Sequence, residues 1–470
     1  MYPSLDQEIK IFSLFIKINF RLEKCIQNLI NISFTGLNAD AFKWRTKQIQ
    51  ACGAHVIRFF YKSILVIYDP ETITFLSNLD QSLLAKSATF KKIFDYTMRD
   101  GILFQEGHDW KQMRRLFEPF SHTGRLRLYH QHFNQLTNKM LKKWEKRSEK
   151  ESFLIDPDLQ SLTLNTFMRS ILGIDFDMSE NETGLADAFL AISKDMSMPK
   201  DFTDLVKSFP LIKKFTRQGR ELRKAQKLRS QFIDQILDQE VETSFDNCIK
   251  PKTLVHYLAE SGMERDQIAA NVFTFLLAGH ETNKSTLNWA LYELGRREEL
   301  QEELFAEIKN QRNNGSSYAD IFSASTHESS SLLASFIMEV QRVYCVAPEI
   351  VPRTLNQTVA LPNGTSIPAG TTFMFGIWET HHNPYIWTEP EIFDPARFVN
   401  SKLTPNQFIP FSAGQRRCIG YKYAIVQLRT VLTLMIEKYK IELDKDHLTS
   451  MTRIMTMNPS NGIKIKISKR

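Results

Sequence analysis

The stretch FSAGQRRCIG, Phe411–Gly420, holds a single cysteine between two glycines and behind two arginines, and the YKYAIVQL that follows reads as a helix. Thiolate, not thiol, binds metal. Cys418 stands just before the helix, where free backbone N–H groups and the helix dipole stabilise negative charge. Arg416 and Arg417 add positive potential. Gly414 and Gly420 permit backbone conformations closed to other residues and let a flat macrocycle approach closely. Phe411 can pack beside the sulfur and keep water away. A lone cysteine is more often an inert, buried small hydrophobe, so the stretch by itself leaves both readings open.

Composition narrows the ligation reading. One thiolate cannot complete a zinc site, which usually takes four ligands. It can be the axial ligand of a haem, whose porphyrin supplies the other four. The five cysteines (Cys25, Cys52, Cys248, Cys345 and Cys418) are odd in number, widely spaced and form no C-x-x-C pair. That argues against a disulfide framework and for a reducing compartment. The 34 phenylalanines suit a large apolar interior or pocket. A net charge of +7 over 470 residues is modest. No basic stripe interleaved with stacking aromatics accompanies it, so no nucleic-acid partner is expected.

Most of the chain has helical period. The exception near the N-terminus is Gly53–Glu71, where β-branched and aromatic runs before an Asp-Pro turn predict a hairpin. Breaks in the helical region fall near Pro119, Ser208–Pro210 and Phe245–Pro251, and a polar loop at Asn310–Ser317. Val359–Phe375 predicts short strands joined by Asn-Gly and Ala-Gly turns. Residues 1–35 are set apart as an N-terminal amphipathic extension without a transmembrane anchor. Their longest apolar run, Ile11–Ile16, is broken by Lys17, whereas a spanning helix needs about 20 apolar residues. Such an extension can lie on a surface or pack on its own domain.

FSAGQRRCIG resembles F-x-x-G-x-R-x-C-x-G, the haem-binding signature of the cytochrome P-450 superfamily, at Phe411, Gly414, Arg416, Cys418 and Gly420. The resemblance implies a mainly α P-450 fold over residues 36–470, with small β-sheets near the N-terminal and C-terminal parts. It implies one haem b, with Cys418 as proximal iron ligand and Arg416 facing a propionate.

Three further segments carry the likeness. In the expected core helix Glu264–Arg297, Ala278-Gly279-His280-Glu281-Thr282-Asn283 resembles the oxygen-binding motif A-G-x-[DE]-T-[TS]. Ala278 and Gly279 then give dioxygen room, and Glu281 and Thr282 organise proton delivery; Asn283 departs from the usual Thr or Ser. Without the likeness, this is a polar patch or a harmless kink. His280 occupies a variable position and reads as packing or surface. Glu339 and Arg342, i and i+3 on one face, match E-x-x-R, with Arg397 of FDPARF as third member of a structural triad. As a surface pair they would contribute little. Trp110 and Arg114 match W-x-x-x-R, a propionate clamp by resemblance, and Arg353 falls where another basic residue meets a propionate. Cys345 and Val346 replace prolines often found just before it.

The implied function is a haem-thiolate monooxygenase inserting one atom of O2 into a small apolar organic substrate: fatty-acid-like, sterol or terpenoid, or xenobiotic. AGHET with HHNPYIWTEPEIFDPARF looks most like the long-chain fatty-acid hydroxylases, and His381 and His382 within it read as structural. Electrons come from a separate donor protein, a ferredoxin or an NADPH-dependent flavin reductase. Lys111, Arg115, Arg125 and Arg127 form either its docking face or a solvated one. The alternatives are a haem-thiolate isomerase or peroxygenase needing no reductase, and a non-enzymatic haem sensor. The basic run Leu211–Ser230 is either a solvated face or a contact with an anionic membrane. The expected location is cytoplasmic, with peripheral membrane contact.

Overall fold

The apolar run at the centre of the sequence forms one helix, Arg265–Arg296, in which Leu276, Leu277, Leu287 and Leu291 are all but inaccessible to solvent. A helix apolar on nearly every side belongs in the core, and the rest of the chain is built around it. The computed structural model describes residues 53–59, 62–87, 100–147, 151–175, 215–243, 253–313, 331–399, 402–453 and 456–470, together with Thr46, Ile49, Met98 and Glu149. The N-terminal extension, the breaks at 208–210 and 245–251 and residues 314–317 of the expected polar loop lie outside these residues; its first half, Asn310–Asn313, instead ends the helix Glu298–Asn313.

Helix Asp156–Ile171 lies along the long helix. Asp156 ties its start to two distant segments, accepting from Asn288 Nδ2 at 2.8 Å and from Ile463 N at 3.0 Å. Helix Thr123–Trp144 packs against it and against helix Tyr421–Lys438, which follows the cysteine loop. Pro119 lies in a short 3-10 turn, Glu118–Ser121, that separates Thr123–Trp144 from helix Gly107–Phe117. Proline has no N–H for the helical ladder, and the chain turns there.

The expected hairpin forms from Ala54–Phe59 and Lys62–Ile67. Asp69 after it caps helix Pro70–Ser77, accepting from Thr72 N at 2.7 Å. Strand Thr372–Phe375 pairs parallel to Lys62–Ile67 and antiparallel to Arg353–Leu355, which in turn pairs with Leu84–Lys86. The strands read near the two ends of the chain thus share one five-stranded sheet. Gly364 (φ +81°) makes the predicted Asn-Gly turn between Val359–Ala360 and Ser366–Ile367. A second sheet joins Phe153–Leu154, Lys464–Lys469 and Tyr439–Leu443. Among the described residues no helix is long and apolar enough to cross a membrane.

Candidate functional site

The cysteine loop owes its shape to contacts with remote segments. Cys418 N donates to Phe411 O at 2.9 Å, closing the loop on itself. Gly414 has φ +65°, and a Cβ there would lie 2.2 Å from Ser77 O. The glycine is therefore required by a left-handed backbone and by the approach of the helix Pro70–Ser77. The macrocycle expected from the sequence is not what crowds it. Gly420 differs: an added Cβ would meet only Cys418 Sγ, at 4.0 Å. That glycine keeps the space beside the sulfur open.

Cys418 is accessible by surface area yet lies deep in the molecule, so its thiol opens on an interior space and not on bulk water. Burial pushes the thiol pKa up, opposed by the Gly420 backbone N–H and by the charges of Arg114 and Arg417. Neighbouring Ile419 packs into the same apolar cluster as Leu276 and Leu277 of the long helix. Ala278, the next residue on that helix, is exposed although Leu276, Leu277 and His280 around it are buried. An exposed alanine in the middle of a core helix faces a cavity.

Arginines from two remote segments, Arg114 and Arg353, converge on the loop's own Arg416. Arg416 stacks over Trp110 with its guanidinium carbon 3.9 Å from the ring centroid. Its Nε donates to Gln81 Oε1 at 2.9 Å and its Nη2 to Gln105 O at 3.0 Å. Arg353 donates from Nη1 to the same Gln81 oxygen at 3.1 Å, and its buried Nε has no partner among the described residues. Arg114 donates to Arg417 O at 2.7 Å. Trp110 and Arg114 do share a helix, but the indole stacks on Arg416. Burial depresses the Arg416 pKa to about 9, with Arg353 and Arg114 adding repulsion and Glu106 opposing it. Burial likewise lowers Arg353 to about 10. Like charges gathered out of water are unfavourable unless anions join them. The donor set fits a flat group with a metal for the thiolate and carboxylates for the arginines.

The oxygen-motif residues divide. Thr282 Oγ1 donates to Ala278 O at 2.7 Å, next to the cavity. Gly279 faces away: a Cβ there would strike Phe167 Cδ2 at 2.6 Å, so this glycine serves close packing. Glu281 is held by Thr456 Oγ1 and Asn458 Nδ2, both at 3.1 Å, and by Lys284 Nζ at 2.9 Å. Burial raises its pKa, but Lys284, His280 and these hydrogen bonds outweigh that and hold it below the usual carboxylate range. Asn283 is buried and donates to Gln427 Oε1 at 2.5 Å. His280 Nδ1 donates to Leu276 O at 2.8 Å from inside the core, as packing.

Glu339, Arg342 and Arg397 meet as a triad. Arg342 binds Glu339 through both Nε (2.7 Å) and Nη2 (2.8 Å), with both side chains inaccessible to solvent. Arg397 Nε joins at 3.1 Å. Arg342 also donates to the carbonyls of His381, Pro390 and Ile392, clamping the irregular segment. His381 and His382 are buried there, stacked on Phe408 and Trp378 respectively. Cys345 ends the Glu339 helix in a left-handed conformation (φ 38°). Gln81, Gln105 and Ser77 had no signal in the sequence, since each acts alone and outside any spaced pattern.

Comparison with known proteins agrees with this arrangement. The family model described as "Cytochrome P450" matches residues 25–467. The human protein cytochrome P450 4F12 is 28% identical over 429 residues, covering 86% of this chain and 80% of that protein. Human cytochrome P450 4Z1 is 28% identical, covering 82% and 78%. Mouse leukotriene-B4 omega-hydroxylase 3 is 28% identical, covering 80% and 75%. The family match runs through every segment that meets at the cysteine loop, and the chain therefore belongs to the cytochrome P450 family of haem b-binding, oxygen-inserting oxidoreductases.

Proposed function

We propose that the protein hydroxylates a fatty-acid-like chain, with Cys418 as the proximal ligand and Trp110, Arg114, Arg353 and Arg416 receiving the haem carboxylates. The observation that carries the reading is the interior thiol beside a buried cluster of three cations, Arg114, Arg353 and Arg416, with the single acid Glu106 near them, so that positive charge is in excess. Haem b, when bound, activates dioxygen so that one oxygen atom enters a C–H bond and the other leaves as water. The long-chain class is supported by AGHET with HHNPYIWTEPEIFDPARF and by the name of the mouse relative.

The chain's own residues set ligation and proton flow. The positive charges of Arg114 and Arg417 lie beside Cys418 and oppose the burial that holds it as a thiol. Phe411, half-buried on the loop, limits water near the sulfur. Thr282 must leave the Ala278 carbonyl to pass a proton from its Oγ1 into the cavity. Glu281 is pinned to Thr456 and Asn458 and stays ionised, so it acts as a fixed anion holding the hairpin of strands Met451–Arg453 and Met457–Pro459 to the long helix. Electrons are supplied by a separate donor protein. Membrane contact falls to the helix Arg217–Thr243, where Arg217, Arg220, Arg223, Lys224 and Lys227 are exposed and Phe215 before it is 81% exposed.

Three measurements test this. The ferrous protein under carbon monoxide shows a thiolate-type absorption band; an imidazole-type band in intact protein refutes Cys418 ligation. Long-chain fatty acids shift the spin state of the ferric haem more strongly than sterols do; the reverse order removes the substrate class. Thr282→Ala raises the peroxide released per electron pair consumed while leaving fatty-acid binding intact, and unchanged coupling removes its role.

A further inference from the structure

Gln81 is a polar side chain in a place that composition cannot explain. It is 2% exposed, at the start of the short 3-10 turn Gln81–Leu83. Its Nε2 donates to Leu79 O at 3.3 Å, and its Oε1 accepts from Arg353 Nη1 at 3.1 Å and from Arg416 Nε at 2.9 Å. Guanidinium groups only donate, so the amide orientation is fixed by its partners. One neutral oxygen thus bridges two cations from segments 63 residues apart in the chain (353 to 416).

We propose that Gln81 is a positioning residue for the haem carboxylates: its carbonyl holds the Arg353 and Arg416 guanidiniums side by side without cancelling their charge. The proposal rests on the reading above that this cluster receives those carboxylates. A glutamate at the same place would make two charge-assisted bonds, each stronger than those of the amide. It would also neutralise a unit of the positive charge that attracts the haem. The amide gives up that internal stabilisation and leaves both arginines available. A leucine would keep the charge and lose the alignment. The neighbourhood already contains one acid, Glu106, whose field reaches both arginines. A second would leave little net charge for two carboxylates.

The test uses the holoenzyme. Gln81→Glu and Gln81→Leu are compared with wild type in haem transfer to excess apomyoglobin, in haem midpoint potential and in urea unfolding followed by far-UV circular dichroism. Gln81→Glu releases haem about tenfold faster, the equivalent of one charge-assisted hydrogen bond. Its midpoint potential moves negative, because added negative charge favours ferric iron, and its urea midpoint is no lower than wild type. Gln81→Leu also releases haem faster, with its potential unmoved. Wild-type release and potential in Gln81→Glu overturn the proposal. So does faster release in both variants that merely follows a lower urea midpoint with no change in potential, since that is a purely structural role. Arg416→Leu, with Arg416→Lys as the milder variant, separates the underlying reading. If both hold haem as wild type does, the cluster is not the carboxylate site. If they lose it while Gln81→Glu does not, only the role of Gln81 fails.

Discussion

Replacing Glu339 with glutamine changes one atom of the buried triad and reverses its hydrogen bonding. Glu339 Oε1 accepts from Arg342 Nη2, Arg397 Nε and Asp394 N at 2.8, 3.1 and 2.8 Å, and Oε2 accepts from Arg342 Nε at 2.7 Å. An amide puts N–H groups where one oxygen stood, facing donors. It also leaves Arg342, fully buried, without a counter-charge. Breaking a buried ion pair from one side costs about 3–5 kcal/mol, or roughly two to three and a half decades in the unfolding equilibrium. Arg397→Ala is the control. Its side chain is 12% exposed, and its contacts at Thr388 and Ile392 lie at the surface. Water can replace it, and the loss is about 1.5 kcal/mol, the low end for a hydrogen bond to a charged group. Urea unfolding is followed by far-UV circular dichroism and by the carbon monoxide band together. Arg342 clamps His381 O, and His381 Nε2 accepts from Ile409 N two residues before Phe411. The thiolate band of Glu339→Gln should therefore fail at lower urea than its helices. A loss for Glu339→Gln no greater than for Arg397→Ala, or helices and band failing together, refutes the triad as a lock on the cysteine loop.

The two loop glycines separate by their surroundings. Gly414→Ala forces a left-handed alanine, costing about 1–2 kcal/mol, and drives its Cβ at Ser77 O, so unfolding and haem release both quicken. Gly420→Ala has φ −87° and open space; its urea midpoint stays at wild type while haem release quickens. The depressed Glu281 pKa contributes stability that is full above the ordinary carboxylate value near 4.5 and lost as pH falls through the lower folded value. Glu281→Gln is accordingly less stable at neutral pH and loses less between neutrality and the acid range; identical pH profiles in urea unfolding refute that role. Phe215→Ser with Arg220→Glu and Lys224→Glu weakens sedimentation with anionic vesicles at low salt and leaves neutral vesicles unaffected; equal binding to both removes the helix as a membrane contact.

How far the site could be read beforehand follows from how its parts are spaced. The cysteine loop, E-x-x-R and W-x-x-x-R each place two or more functional residues within one turn or one helix. Local spacing carries them, and Glu339 and Arg342 meet as the i,i+3 pattern implies. The hairpin and the Asn363-Gly364 turn were legible for the same reason. The five-stranded sheet was not: its parallel pair joins Ile64 to Thr372, and no local pattern records a pairing across that separation. In sequence Gly279 reads as space for a ligand, because small residues look alike there. Only the contact with Phe167 distinguishes a glycine kept for packing from one kept for a cavity. Gln81 was invisible because a solitary glutamine carries no periodicity. Its meaning comes from two arginines that the fold delivers.

That dependence on delivery explains why a ten-residue loop can define a site that it does not itself hold in place. Arg416 is fixed by Gln81 and Gln105, Arg417 O by Arg114, and Ile419 O by Ser121 Oγ at 2.8 Å. Gly414 is fixed by the Ser77 carbonyl. Every one of these partners lies in residues 77–121, on the other side of the chain's core helix in sequence. Closing such long loops costs entropy only slowly with length, so distant partners are affordable in folding terms. They also couple the sulfur to the arginines, because residues 414–419 cannot shift without disturbing the bonds that align Arg416. The Cys418 sulfur and the arginines beside it are thus one rigid unit, so a substitution at any of the partners in residues 77–121 disturbs both together.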